Sequence, residues 1–305
     1  MRITQNITAA NSVYYLQQGL AKLNNLQELA ATGNNINQPS DDPINTRLLL
    51  DIGDQLKAGN QYASNITKAN TFLQVTSTAL QGMSDTIAQA KTLVATITSG
   101  STDATVRQSV VAQLQSLRQS MVDYGNTQSG DQYVFGGANS TQPFNASSSY
   151  AGDETALNVE IGQSSKQQMN IPGNQVLTGS STSVPANTPY GTTNILDTFD
   201  KLITAVQNND VTSAVGIQAE AQNLDSGANQ ITNAQSDVAS RMIRLQNATT
   251  MNTNTTNTLQ TIAGNIQNVD YNKLAVELTQ QQTAYQASLS ATAKVTQMSL
   301  LDYLQ

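Results

Sequence analysis

Thr32-Gly33-Asn34-Asn35-Ile36-Asn37-Gln38-Pro39-Ser40-Asp41-Asp42-Pro43 separates two long helical patterns, and its reading decides the fold. Gly33 adopts positive φ at little cost and can close the preceding helix. Pro39 disfavours helical geometry at Gln38. Asp41 and Asp42 can each act as an N-cap, and Pro43 suits a first helical turn, where its missing N–H is not needed. The stretch therefore reads as helix stop, extended turn, helix start. Capping accounts for both carboxylates, so no metal site is called from them.

Upstream of the turn, Val13, Leu16, Leu20, Leu23, Gln27 and Ala30 step by three and four, the signature of an amphipathic helix over 1–31. Ile3, Ile7, Ala10 and Tyr14 form a similar stripe displaced around it. Downstream, Ile66, Ala69, Leu73, Thr76, Leu80, Met83, Ile87, Ala90, Val94 and Ile97 alternate without a break, which is coiled-coil spacing. A helix of about 55 residues from Pro43 would span roughly 80 Å, longer than a compact globule needs. Asp103 can cap a further helix with Val106, Val110, Leu114, Leu117, Met121 and Tyr124 on one side.

The other half mirrors this. Ile195, Leu196, Phe199, Leu202, Ile203 and Val206 predict a helix. Ile217, Ala221, Leu224, Ala228, Ile231, Gln235, Val238, Met242 and Leu245 form a second seam, matched to the first over 211–267. That series continues through Thr249, Asn252 and Thr256, so three successive seam positions are polar. Leu274, Leu278, Tyr285, Leu289, Val295 and Met298 predict a last helix over 270–303. In between, Gly, Ser, Pro, Asn and Thr dominate, and Tyr133-Val134-Phe135, Leu157/Val159/Ile161 and Met169/Ile171 read as short strands.

The expected fold is mainly α with a β insert. A long antiparallel coiled-coil rod is made by both chain termini, with a small β-rich domain added. The expected domains are 1–42 with 268–305 (terminal helices), 43–130 with 193–267 (coiled coil) and 131–192 (β-rich).

Composition removes whole classes of function. The 305 residues contain no His and no Cys, so His- and Cys-based nucleophile systems, His-ligated metals and disulfides are excluded. No phosphate-binding or dinucleotide motif is present, and no enzyme or cofactor is expected. A net charge of −7 argues against nucleic acid and against anionic membranes. No window is apolar enough to span a bilayer and no cleavable signal is visible, so export would have to read an uncleaved N-terminus.

The turn motif and the two terminal patterns resemble the bacterial flagellar axial proteins. So do Met1-Arg2-Ile3-Thr4, Asp131-Gln132-Tyr133-Val134-Phe135-Gly136-Gly137 with Gln142-Pro143-Phe144, and Ser299-Leu300-Leu301-Asp302-Tyr303-Leu304. The Pro-Ser-Asp-Asp-Pro spelling is closer to the hook–filament junction branch than to flagellin, whose turn usually reads Ser-Ala-Lys-Asp-Asp. The resemblance covers essentially the whole chain. It implies a secreted structural subunit of the flagellum, forming a junction ring between the hook and the flagellin filament, with flagellin itself as the alternative.

The resemblance also implies partners and sites. The partners are the hook-side junction protein (hook-associated protein 1), flagellin, copies of the chain in a helical ring, and an export chaperone before type III secretion. The family turn motif is Gly33, Pro39, Ser40, Asp41, Asp42 and Pro43. Subunit assembly would use Ile3, Ile7, Tyr14, Leu274, Leu278, Tyr285 and Leu289 on the inner wall of a tube. Chaperone binding would use Leu289, Val295, Met298, Leu301 and Leu304.

Overall fold

The structure, a computed structural model, describes residues 5–98, 103–139, 141–145, 149–179 and 190–303. It is mainly helical, with helical regions toward both ends of the chain and a small insert of two two-stranded sheets. The helices are α1 (Gln5–Thr32), α2 (Pro43–Thr98), α3 (Ala104–Gly125), α4 (Ile195–Asn208), α5 (Ile217–Gln267) and α6 (Tyr271–Tyr303). The strands are β1 (Gln128–Ser129), β2 (Gln132–Tyr133), β3 (Asn158–Gly162) and β4 (Ser165–Gln168). The chain forms two compact units, 59–254 and 1–58 with 255–305. The division falls within α2 and α5.

In the 59–254 unit the expected seam of α2 is buried at every position from Ile66 to Ile97. On α5 the large apolar side chains of the seam are buried every seven residues, at Ile217, Leu224, Ile231, Val238 and Leu245, with Ala221, Ala228, Gln235 and Met242 half-buried between them, and Glu220, Gly227, Gln230 and Ala234 are buried beside them. The two helices run antiparallel. The Asn252 amide donates to the Gly59 carbonyl at 2.9 Å, and Lys91 pairs with Asp225. Helices α3 and α4 complete the core, joined by Arg118 bonding both carboxylate oxygens of Asp200 at 2.6 and 2.9 Å. Asp103 caps α3, its side chain accepting from Thr105 N at 2.9 Å. Gly82 lets Tyr124 lie on α2, since a Cβ there would sit 2.4 Å from the ring.

The polar run in α5 resolves into different roles. Thr249 is exposed, and its hydroxyl donates back to the Leu245 carbonyl at 2.9 Å. It lies outside the seam, which passes through Ala248 instead. Asn252 and Thr256 are half-buried. The strict three-four reading therefore fails at Thr249 alone, and the series returns to its expected register at Asn252 and Thr256.

The insert contains less strand than the sequence suggested. Val134 and Phe135 leave β2 and turn inward, where both are fully buried with Phe144, Ile171, Val176 and Leu177. Asn126, just after α3, binds both the N–H and the carbonyl of Phe144 at 2.9 Å. Past β4 one more backbone bond runs from Met169 N to the Leu157 carbonyl at 2.9 Å, and the Asn170 side chain then replaces the ladder. It accepts from Leu157 N at 2.8 Å and donates to the Thr155 carbonyl at 2.8 Å.

The insert returns to α5 through a polar ladder that no hydrophobic pattern reveals. Buried Gln230 donates to the Val176 and Thr193 carbonyls at 2.7 and 3.0 Å and accepts from Thr193 N at 3.0 Å. Asn233 donates to the Tyr190 carbonyl at 2.9 Å, and the Tyr190 hydroxyl donates to Asp237 at 2.6 Å. Burial first, and the Asp237 carboxylate second, push the Tyr190 hydroxyl pKa up.

Candidate assembly surface

The turn between α1 and α2 is built as its residues dictate. Gly33 has φ +72° and donates to the Leu29 carbonyl at 2.9 Å, closing α1. A Cβ there would also lie 2.7 Å from the Tyr271 hydroxyl, so glycine is required twice over. The Gly33 carbonyl accepts from Val269 N at 3.0 Å, and Asn35 N donates to the Gln267 carbonyl at 2.6 Å, tying the turn to the connection between α5 and α6.

The two aspartates divide the work. Asp42 is the N-cap of α2, its Oδ1 accepting from Ile44 N at 3.1 Å and Asn45 N at 3.0 Å, with Pro43 as first helical residue. Asp41 is not a second cap. Its Oδ2 faces backward and accepts from Asn37 N and Gln38 N at 3.0 and 2.8 Å. The Asn45 backbone bond, against a smaller opposing effect of burial, holds the Asp42 carboxyl below its usual range. Pro39 and Ser40 lie in the turn itself and are exposed.

Helices α1 and α6 pair antiparallel: Gly33 and Val269 meet at one end, and Gln281 donates to the Gly19 carbonyl at 3.1 Å farther along. Asp270 caps α6, accepting from Asn272 N at 2.9 Å. Among the described side chains of α1 the less exposed positions are Ser12, Leu16, Gly19, Leu23, Leu26, Leu29 and Ala30, and of these Leu26 alone is buried. Val13 and Leu20, expected in this stripe, are exposed, and Gln27 gives way to Leu26. The reason is that Gly19 admits the Tyr285 ring, 3.4 Å from where its Cβ would be, and Gln281 fills a core position on α6. Hydrophobicity marks neither Gly nor Gln, so the stripe is right at Leu16, Leu23 and Ala30 and one residue off at Val13, Leu20 and Gln27.

The proposed assembly residues fall into two sets. Leu274 is buried, while Leu278 and Tyr285 are half-buried. Ile7, Tyr14 and Leu289 are exposed at 52%, 56% and 44%. Sequence reasoning passed over Tyr15, whose ring meets Tyr14 edge-on at 5.8 Å, and Val276, both exposed. Ile3 and Leu304 lie outside the described residues, as do the side chains of Val295, Met298 and Leu301.

Such an arrangement offers apolar contact area. Among the described residues no cluster of His, Cys, Asp or Glu could hold a metal ion, and no helix is long and apolar enough to cross a membrane.

A family model for the bacterial flagellin N-terminal helical region matches residues 3–140, and one for the flagellin C-terminal helical region matches residues 221–304. Together they span well over half of the sequence, and the chain belongs to the flagellin-like family of bacterial flagellar proteins. Within that family it is similar to flagellar hook-associated protein 3 of Salmonella typhimurium, 23% identical over 98% of both chains. In fold it is similar to a flagellar hook-associated protein of Vibrio parahaemolyticus, at TM-score 0.63 and 22% identity, covering 75% of this chain and all of that one. It is also similar to the flagellar junction protein FlgL of Legionella pneumophila, at TM-score 0.56 and 16% identity, covering 72% of this chain and 99% of that one.

Proposed function

We propose that this chain is a structural subunit of the flagellar hook–filament junction. The observation that carries the reading is the pairing of full-length similarity to hook-associated protein 3 with apolar side chains left uncovered on the terminal helices. Exposed apolar faces of this kind mark surfaces that another chain covers. In this reading copies of the chain assemble into a ring through Ile3, Ile7, Tyr14, Leu274, Leu278, Tyr285 and Leu289. The terminal helices, 1–42 and 268–305, line the tube. The coiled coil, 43–130 with 193–267, and the insert, 131–192, lie outside them. The turn motif Gly33, Pro39, Ser40, Asp41, Asp42 and Pro43 fixes how the terminal helices enter that arrangement.

The partners in this reading are a hook-side junction protein on one side and flagellin on the other. Before assembly an export chaperone covers Leu289, Val295, Met298, Leu301 and Leu304, and the chain is secreted to the cell exterior. It performs no reaction. Flagellin is the second reading, favoured by the flagellin-named regions at both ends. Electron microscopy of a deletion strain separates them. Complete hooks with filament subunits shed into the medium support the junction. Hooks that carry junction proteins while no filament subunit is made support flagellin.

A further inference from the structure

We propose that the β3–β4 hairpin is a strap that holds α2 and α5 together at the last apolar layer of their seam. A two-stranded hairpin is marginal alone and must lean on something. This one, with Asn170 just after β4, is anchored to both helices through its backbone. From α2, Asn65 donates to the Glu160 carbonyl at 2.9 Å, while its own carbonyl is held by Gln61 at 3.0 Å. From α5, Arg241 donates to the Asn170 and Gln168 carbonyls at 2.8 and 3.4 Å, and Asp237 orients it at 2.7 Å. The ladder shifts register between Glu160 and Gly162, and Ile161, at the irregularity, is buried in the same apolar cluster as Ile66 and Leu245.

The position of these anchors gives the strap its role. Ile66 and Leu245 are the last fully buried apolar side chains of the pair in this unit. Toward residue 59 on α2 and residue 254 on α5, the bond from Asn252 to Gly59 takes over. A helix pair opens first where its apolar seam ends. Two helices tied there to one hairpin can separate only if the hairpin detaches from one of them. Because both anchors grip backbone carbonyls, the hairpin's outward side chains can change without loosening it.

The test is amide exchange on the full-length protein carrying Asn65→Ala and Arg241→Met. Methionine keeps most of the apolar stem of Arg241. Alanine is a better helix former than asparagine, so propensity alone would slow exchange in α2. The strap requires the opposite: exchange at 60–70 and 241–252 rising about tenfold, the scale expected for losing bonds that include a charged donor. Exchange at 73–97 and 217–235 should stay as in the parent. Lys166→Ala, on the same hairpin but bound only to Glu160 at 3.5 Å, should change neither region. Unchanged exchange in the double variant, or a uniform rise across all four segments, overturns the proposal.

Discussion

The two units are cut from the same long helices, α2 and α5, yet they bury their side chains very differently. The 59–254 unit places a continuous series from Ile66 to Leu245 out of solvent, because α3, α4 and the insert cover what the α2–α5 pair leaves open. Among the described residues of the other unit, only Leu26, Ile52 and Leu274 are buried apolar side chains. Ile7, Tyr14, Tyr15, Leu50 and Val276 stay exposed there. Similar helical periodicity thus gives a finished core in one place and an unfinished one in the other. What differs is the supply of covering elements, and the unfinished unit is the one whose surface another chain can complete.

The largest consequence concerns local stability. A marginal helix pair with few buried contacts opens readily. In a verified monomer, amides of 7–32 and 271–294 should exchange about a thousandfold faster than those of 73–97. Comparable protection in both units would break the contrast outright, because it would mean that the terminal helices need no partner.

The same contrast predicts unequal mutational costs. Phe199 is fully buried in α4, so Phe199→Ala should cost about 3–5 kcal/mol in urea unfolding. Leu26→Ala removes a side chain that is also buried, at 5% exposure, but from the thin unit. If that unit opens separately, the main transition should move by less than about 1 kcal/mol, within the range of near-neutral substitutions. Equal costs would join the two units into one cooperative block.

How much could be read in advance follows the same line. The α2 and α4 stripes were legible because Leu, Ile, Val, Met and Phe occupy most of the buried positions and recur at three-four spacing. The α1–α6 pairing was legible only approximately, since Gly19 and Gln281 hold seam positions through close approach and a side-chain bond to backbone. The turn was legible at Gly33, Asp42 and Pro43. The backward role of Asp41 was not, because two adjacent aspartates look alike until the chain has chosen which N–H groups each one faces. Docking of the insert through Gln230, Asn233, Asp237 and Arg241 was illegible for the same reason. Those side chains bind carbonyls, a hydroxyl or one another, and backbone carries no sequence signature.

A finer comparison lies within α5. Thr249→Ala and Asn252→Ala gain similar helix propensity, about 0.5 kcal/mol each. Thr249 faces solvent and loses only a back-bond to its own helix, whereas Asn252 loses its bond to α2. The two variants should therefore differ by about 1 kcal/mol, the net worth of one hydrogen bond, with Asn252→Ala the less stable. Matching urea midpoints would place Asn252 outside the seam and remove the polar layer at this end of the unit.

The smallest effect belongs to the cap of α2 and depends on acid. Asp42 is held below its ordinary value of 3.8 because the folded chain presents the Asn45 and Ile44 N–H groups to its carboxylate. A carboxyl whose pKa is lower folded than unfolded stabilises the folded form fully above the unfolded value. It loses that contribution as pH falls through the folded one. The first turn of α2 should therefore loosen only below about pH 4, while the rest of the helix holds. Asn caps a helix as well as Asp does and carries no titrating proton. Asp42→Asn should leave the turn unchanged at pH 7 and abolish its sensitivity to acid. Amide exchange at Ile44 and Asn45, taken as the ratio of parent to variant at each pH, cancels the intrinsic pH dependence of the exchange chemistry. That ratio should be flat from pH 7 to pH 4 and rise below it. A ratio that stays flat throughout would mean that the charge on Asp42 adds nothing to the cap.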